Sequence, residues 1–163
     1  MMNEALKEVE ARIKADVGTT AVKAWYVGDA GLVPGGTLPA VIVRERGTKI
    51  TRVSTSKDQC TFSISILVVV DMRADFKTAA RTNDLVAHRE RLRKLVEEAD
   101  TDGAPKTTTI LGSIMRQANL HGTNYVWNMN PVVNYYPEVP GGFFYAAAEI
   151  TLDLITDLVT RKA

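Results

Sequence analysis

Two long segments of the chain alternate hydrophobic side chains with other side chains at every second position. The first runs from Gln59 to Val70 and the second from Phe144 to Ile155. One face of the first carries large hydrophobic residues, namely Phe62, Ile64, Ile66, Val68 and Val70. One face of the second carries small and aliphatic residues, namely Ala146, Ala148, Ile150, Leu152 and Leu154. This period of two predicts β-strands with one face against a hydrophobic core.

Both predicted strands are longer than most. Each has 12 residues, which at about 3.3 Å per residue extend about 40 Å. A typical strand has only about 5–6 residues. A strand that projects beyond its own domain exposes backbone hydrogen-bonding groups that need a partner. We therefore expect a sheet that takes part in assembly.

The first helix is predicted at the start of the chain. Leu6, Val9, Ile13 and Val17 follow one another at spacings of three and four, with charged residues mostly between them. This pattern is typical of an amphipathic helix. Gly18 stands where a glycine ends many helices.

A second helix is predicted from Asn83 to Ala99, with Asn83 as its N-cap. Its arginines and lysine alternate with glutamates, so its polar side is interpreted as a solvated helix face rather than a phosphate site. His88 lies beside the apolar stripe and is interpreted as a packing residue.

Four further segments are predicted as strands: Thr20–Val27, Ala40–Arg44, Thr108–Arg116 and Asn130–Tyr136. The predicted order of elements is α-β-β-β-α-β-β-β. This order indicates a single α+β domain over residues 1–163. Its sheet is expected to be mixed but mostly antiparallel, with two main helices packed on one face and long loop or hairpin extensions.

The segment Arg44–Asp58 is rich in positive charge. Its cations outnumber Glu45 and Asp58, and they are Arg44, Arg46, Lys49, Arg52 and Lys57. We interpret it as a projecting hairpin or a partly disordered arm. Two roles stay open: a solvated surface loop, or an arm that docks on a neighbouring subunit or passes along nucleic acid.

Most of the aromatic residues fall between Tyr125 and Tyr145. Large aromatic side chains dominate the energy of many protein interfaces. Four are therefore candidates for a subunit or tube interface, namely Trp127, Tyr135, Tyr136 and Phe143. The alternative is that they pack in the core and in a hairpin.

Composition narrows the function classes. The chain has 163 residues and a formal net charge of +1, which argues against a dedicated nucleic-acid binder. Its single cysteine, Cys60, allows no disulfide within the chain and fits a reducing compartment. The charged start predicts no signal peptide, and the apolar runs are too short to cross a bilayer.

No catalytic or metal-binding set is predicted, and no cofactor is expected. His88 and His121 lie in different elements without metal-ligand spacing. The glycine pairs lack the context of a phosphate-binding loop. A hydrolytic or cation-binding cluster could be formed by four acidic residues, namely Asp71, Asp75, Glu149 and Asp153. Outward carboxylates on a strand, however, usually form its solvated face.

The order of elements resembles the tail terminator (tail completion) proteins of long-tailed, non-contractile bacteriophages. The resemblance rests on the opening helix, the strand entry Leu38-Pro39-Ala40-Val41 and the long Thr61–Asp71 strand. It also includes the helix near Asn83–Ala99 and the closing strand through Ala148-Glu149-Ile150-Thr151-Leu152-Asp153-Leu154.

This resemblance implies a structural virion protein, not an enzyme. Such subunits form a hexameric ring on the growing tail tube, stop its polymerisation and present a surface to the head completion or connector protein. The implied location is the head-proximal end of the tail, after assembly in the host cytoplasm, with DNA passing through the lumen without sequence-specific binding. The alternatives are a head-closure or neck connector protein, or a small nucleic-acid-binding or metal-dependent accessory enzyme.

Overall fold

The computed structural model of the chain describes residues 2–29, 33–55, 57–73, 87–116, 126–127, 130–136 and 145–159. Its helices are α1 (Met2–Val17), α2 (Ala87–Val96) and α3 (Ile110–Met115). Its strands are β1 (Ala24–Val27), β2 (Ala40–Ser54), β3 (Lys57–Asp71), β4 (Val126–Trp127), β5 (Val132–Tyr136) and β6 (Tyr145–Val159).

The six strands form one sheet in the order β1-β2-β3-β6-β4, and β5 also pairs with β6. β1 runs parallel to β2, and every other pair is antiparallel. The mixed, mostly antiparallel sheet and its helices confirm the predicted α+β class. The long central strands β3 and β6 are those that the period-two pattern predicts.

The three α-helices of the described residues lie on one side of the sheet, which we call the helix face. On this side the even-numbered residues from Cys60 to Val70 of β3 and from Ala146 to Leu154 of β6 share one buried hydrophobic cluster with residues of α1, α2 and α3. In α1, the predicted stripe of Leu6, Val9 and Ile13 is buried. The helix ends at Gly18, whose backbone φ is +81° and whose N–H donates to the carbonyl of Lys14. A positive φ favours glycine at such a helix end.

The opposite face is divided into an apolar part and a polar part. Near the start of β2 a small cluster of apolar residues is buried beneath the loop before that strand, namely Leu38, Ala40, Ile42, Val69 and Ala147. A cis peptide bond joins Leu38 to Pro39 in this loop. Further along the same strands this face becomes polar, around the buried residues Ser65 and Glu149.

The predicted strand over Thr108–Arg116 is wrong, because this segment contains the helix α3. Ile110 and Ile114 lie four residues apart and are both buried, as one side of a helix requires. The hydroxyl of Thr109 caps the helix by accepting a hydrogen bond from the N–H of Gly112 at 3.1 Å. A Cβ on Gly112 would overlap the carbonyl oxygen of Lys106, so glycine permits this close approach.

Two predicted strand bounds also need correction. The first strand begins at Ala24 rather than Thr20. The second does not end at Arg44 but continues to Ser54, so most of the Arg44–Asp58 segment is paired strand. The reason is that β3 supplies ladder partners for β2 as far as the Ser54–Lys57 pair. The second helix ends at Val96 rather than Ala99, and its predicted start, residues 83–86, lies outside the described residues.

Candidate functional site

The hairpin formed by β2 and β3 continues past the helices. Its pairing shifts register between Glu45 and Gly47 and again between Arg52 and Ser54, and β6 follows β3 as far as the Lys57–Val159 pair. From Glu45 onward β2 is almost entirely solvent-exposed. Two large apolar side chains there are mostly uncovered: Ile50 is 63% exposed and Val53 is 59% exposed. We call residues 45–59 the hairpin extension.

The five predicted basic residues do not form one positive surface. Arg44 and Arg46 both reach Glu149, whereas Arg52 lies 3.3 Å from Asp58 and Lys57 lies 2.6 Å from Asp157. Lys49 is exposed and has no ion-pair partner within the described part of the chain. Four of the five cations therefore lie beside carboxylates of β3 and β6.

Glu149 is the centre of the polar network on the opposite face. Only 4% of this residue is exposed. Its Oε1 accepts hydrogen bonds from the Ser65 hydroxyl at 2.5 Å and from Nη2 of Arg44 at 3.3 Å, and its Oε2 accepts one from the Tyr136 hydroxyl at 3.0 Å. Nη1 of Arg46 lies 3.6 Å from Oε1. One carboxylate thus joins β2, β3, β5 and β6.

The charged form of Glu149 is favoured in the folded protein. Burial alone raises the pKa of a carboxyl group, but the hydrogen bonds from Ser65, Tyr136 and Arg44 and the charge of Arg46 outweigh it. The pKa of Glu149 therefore lies below its ordinary value. Conversely, the hydrogen bond to this carboxylate and partial desolvation raise the pKa of the Tyr136 hydroxyl, which stays protonated as the donor.

A second hydroxyl–carboxylate pair lies further along the same face. The Ser63 hydroxyl donates to Oδ1 of Asp153 at 2.6 Å. Both residues border a shallow cleft of about 360 Å³, which Arg46, Thr151 and Val132 also line. Asp153 lies four positions after Glu149 in β6, about 13 Å along the strand, so the two carboxylates do not form one acid–base or metal-binding pair.

The remaining acidic candidates are also separate. Asp71 pairs with Arg73 and accepts from the Arg73 backbone N–H, and the pKa of Asp71 is lowered chiefly by its hydrogen bond with that arginine. Asp75 lies outside the described residues. Among the residues that the structure describes, no three His, Cys, Asp or Glu side chains are grouped to hold a metal ion.

The two described tyrosine candidates point to opposite sides of the sheet. Tyr135 lies on the helix face, where its hydroxyl donates to Glu97, the residue after α2, at 2.7 Å, and the guanidinium of Arg93 lies 5.8 Å from its ring centre. Burial and the hydrogen bond with Glu97 raise the pKa of Tyr135. Tyr136 is 40% exposed on the other face. Tyr135 thus packs as a link between sheet and helix, whereas Tyr136 is accessible.

The other aromatic candidates are less defined. Trp127 is described only through its backbone, in the short strand β4, and Phe143 lies outside the described residues. Cys60 is 2% exposed, and burial raises the pKa of its thiol, as expected of a packed cysteine. No helix in the described ranges is long and apolar enough to cross a membrane.

Sequence reasoning placed Glu149 and Asp153 on one outer face but missed the partners of Glu149. Ser65, Arg44 and Tyr136 come from three other strands, so no short motif contains them. The available signal was a lone glutamate within the small and aliphatic run of β6. No known family model matches the chain, and no curated protein is significantly similar to it.

Proposed function

We propose that the protein is a structural virion protein of the tail-terminator type. In this role, copies form a hexameric ring on the end of the phage tail tube, stop its polymerisation and offer a surface to the head completion or connector protein. The function is one of assembly, so it needs neither a catalytic group nor a cofactor. The phage DNA passes through the lumen of the ring.

The hairpin extension is the observation that carries this proposal. It is ordered by two ladders, with β2 on one side of β3 and β6 on the other, yet most of its β2 strand contacts solvent. Ile50 and Val53 lie there with more than half of their surface exposed. We take two large apolar side chains exposed within four residues of one strand as support for a contact with another protein.

The charge pattern also supports a protein partner over nucleic acid. A surface that binds DNA needs cations that are free to contact phosphates. In the hairpin extension, Arg46, Arg52 and Lys57 each lie beside a carboxylate. We therefore assign the extension to contacts with a neighbouring subunit or the tube end.

The decisive experiment is a tube-capping assay. Purified tail tube protein is polymerised with and without this protein, and tube lengths and ends are measured by electron microscopy. We expect shorter tubes with a ring of this protein at one end. Tubes of unchanged length without such rings contradict the proposal. Rings on the portal end of filled heads, without tube capping, would instead favour a head-closure protein.

A matched pair of variants tests the hairpin extension. Ile50→Ser with Val53→Ser removes both exposed apolar side chains and is expected to abolish capping while leaving the fold intact. Met115→Ser changes another exposed apolar residue, 43% exposed on α3, and is expected to cap normally. Equal loss in both variants would mean that the extension has no specific part in the contact.

A further inference from the structure

Among the residues that the structure describes, the sheet has two edge strands without charges, prolines or bulges to prevent pairing. In the described part of the chain, β1 pairs only with β2, and β5 pairs only with β6. Neither Ala24–Val27 nor Val132–Tyr136 contains a charged residue or a proline. Both are rich in aromatic and β-branched residues, which favour strand pairing. Natural edge strands usually carry charges, prolines or bulges that prevent it.

The hairpin extension provides an internal contrast. β1 pairs with Ala40–Val43 of β2, and in the described ranges the rest of β2 is also an outer edge. That part carries charged side chains and two register shifts, at Glu45/Gly47 and Arg52/Ser54. The outer edge of β2 thus carries charges and register shifts that oppose strand pairing, whereas β1 and β5 carry neither charged residues nor prolines. Val27 of β1 is 38% exposed and Val132 of β5 is 54% exposed.

The two unprotected edge strands, β1 and β5, lie at the same position along the strand direction, which we call the same level. One row of paired residues runs from Ala24 through Ala40, Val69 and Ala147 to Tyr136. Three rows on, another runs from Val27 through Val43, Ile66 and Ile150 to Val133. Ala24–Val27 and residues 133–136 therefore belong to the same four rows, at opposite edges of the sheet.

We infer that β5 of one copy pairs antiparallel with β1 of the next copy, so that the sheet continues from subunit to subunit. β1, β2 and β6 run in one direction and β5 in the other. Two copies placed side by side with their helix faces on the same side therefore present β5 and β1 as antiparallel neighbours. This inference rests on the assembly of copies in the proposed function and names the surface that joins them.

When β5 pairs with β1 of the next copy at this shared level, side chains that favour strand pairing lie opposite each other. It places Tyr135 opposite Trp25 of the neighbouring copy and Val133 opposite its Val27, with all four on the helix face. Aromatic and β-branched pairs directly across a sheet are stabilising. On the opposite face it places the exposed Asn134 opposite Tyr26 of the neighbouring copy. A slip by one residue would set each side chain against one that points to the other face.

The equal position of the two edge strands along the strand direction also favours a closed ring of copies. Each added copy is displaced sideways but not along the strands, because the two edges share the same rows. A head-to-tail contact closes into a ring when its rotation closes and forms an open helical filament when it does not, and a contact without displacement along the strands meets one of the conditions for a ring. The contact is heterologous, since β1 of one copy meets β5 of another.

Disulfide trapping tests this register. Val27→Cys and Val133→Cys are combined in one chain, in which the natural Cys60 stays buried, and the thiols are oxidised by added oxidised glutathione. Directly opposite residues have Cβ atoms about 4.5–5.5 Å apart, and Cα atoms within about 6.8 Å allow a disulfide. We expect a ladder of linked oligomers on a non-reducing gel, both free and on tube ends. Circular dichroism checks that each variant is folded.

The controls separate the alternatives. Val27→Cys with Asn134→Cys puts the thiols on opposite faces, so the ladder is expected to disappear, and each single variant should remain unlinked. Dimers from Val27→Cys alone would mean β1–β1 pairing and would overturn the inference. Rings by light scattering without any ladder would also overturn it but leave the proposed function standing. A ladder without tube capping would support edge pairing and overturn the proposed function.

Discussion

The two faces of the sheet are stabilised in different ways. On the helix face, Ile64, Ile66 and Ile150 are fully buried against three helices. On the opposite face, Ser65 and Glu149 are almost as completely buried, but they are polar and satisfy each other by a hydrogen bond. The same strands therefore supply a hydrophobic core on one side and a hydrogen-bonded network on the other.

This difference separates folding from alignment of the strands. Apolar burial on the helix face opposes a slip by one residue, but it is less directional than hydrogen bonding and fixes the finer position of each strand less closely. The bonds of Glu149 are directional and join β2, β3 and β5 to β6. Since Arg44 directly precedes the hairpin extension and Arg46 lies at its start, we interpret this network as the element that fixes the direction of the extension.

The largest expected effect is on the helix face. Ile66→Ala should lower the free energy of unfolding by about 2–5 kcal/mol, because it removes a fully buried side chain and leaves a cavity. The measurement is urea unfolding followed by circular dichroism. Leu67→Ala is the matched control on the opposite face, where the side chain is only partly buried. Equal losses would contradict the distinction between the faces.

The next effect concerns the polar network. Glu149→Gln should lower the free energy of unfolding by about 1–3 kcal/mol, because charged hydrogen bonds are lost and Ser65 stays buried. Asp157→Asn alters an ion pair in which both side chains are about half exposed, so its effect should stay below about 1 kcal/mol. If both variants unfold like the wild type, Glu149 does not hold the strands together.

The same carboxylate predicts a pH dependence. The pKa of Glu149 is lower in the folded protein than its ordinary value of about 4.3 in an unfolded chain. Its stabilising contribution is therefore complete above that pH and is lost as the pH falls through the folded value. The difference in stability between the wild type and Glu149→Gln should be constant from about pH 5.5 to 7.5 and shrink below about pH 4. A difference that grows in acid would reverse the assigned direction.

The sequence was most informative where a face is buried. The period-two pattern located β3 and β6, and the helical stripe located α1, because burial selects apolar residues at regular spacing. Residues 45–54 have no such pattern, since neither side of that part of β2 is buried. They form a strand because β3 offers a ladder, and that partner is not visible in local sequence.

The candidate site was predictable only in part. Glu149 and Asp153 follow from alternation along β6, but the partners of Glu149 depend on the fold, and Arg44 lies 105 positions away in the chain. The error at α3 has a local cause. Six residues are too few to separate helical from strand spacing by pattern alone, and the Thr109 cap was the signal that distinguished them.

The smallest expected effect falls on the hairpin extension, where the same residue type gives a direct contrast with Ile66. Ile50→Ala should change the free energy of unfolding by less than about 0.5 kcal/mol, because 63% of Ile50 is already exposed. Urea unfolding at low protein concentration measures this. A loss as large as that of Ile66→Ala would mean that Ile50 is covered in solution. If that loss appears only at high concentration, another copy of the chain covers it, since binding stabilises by mass action.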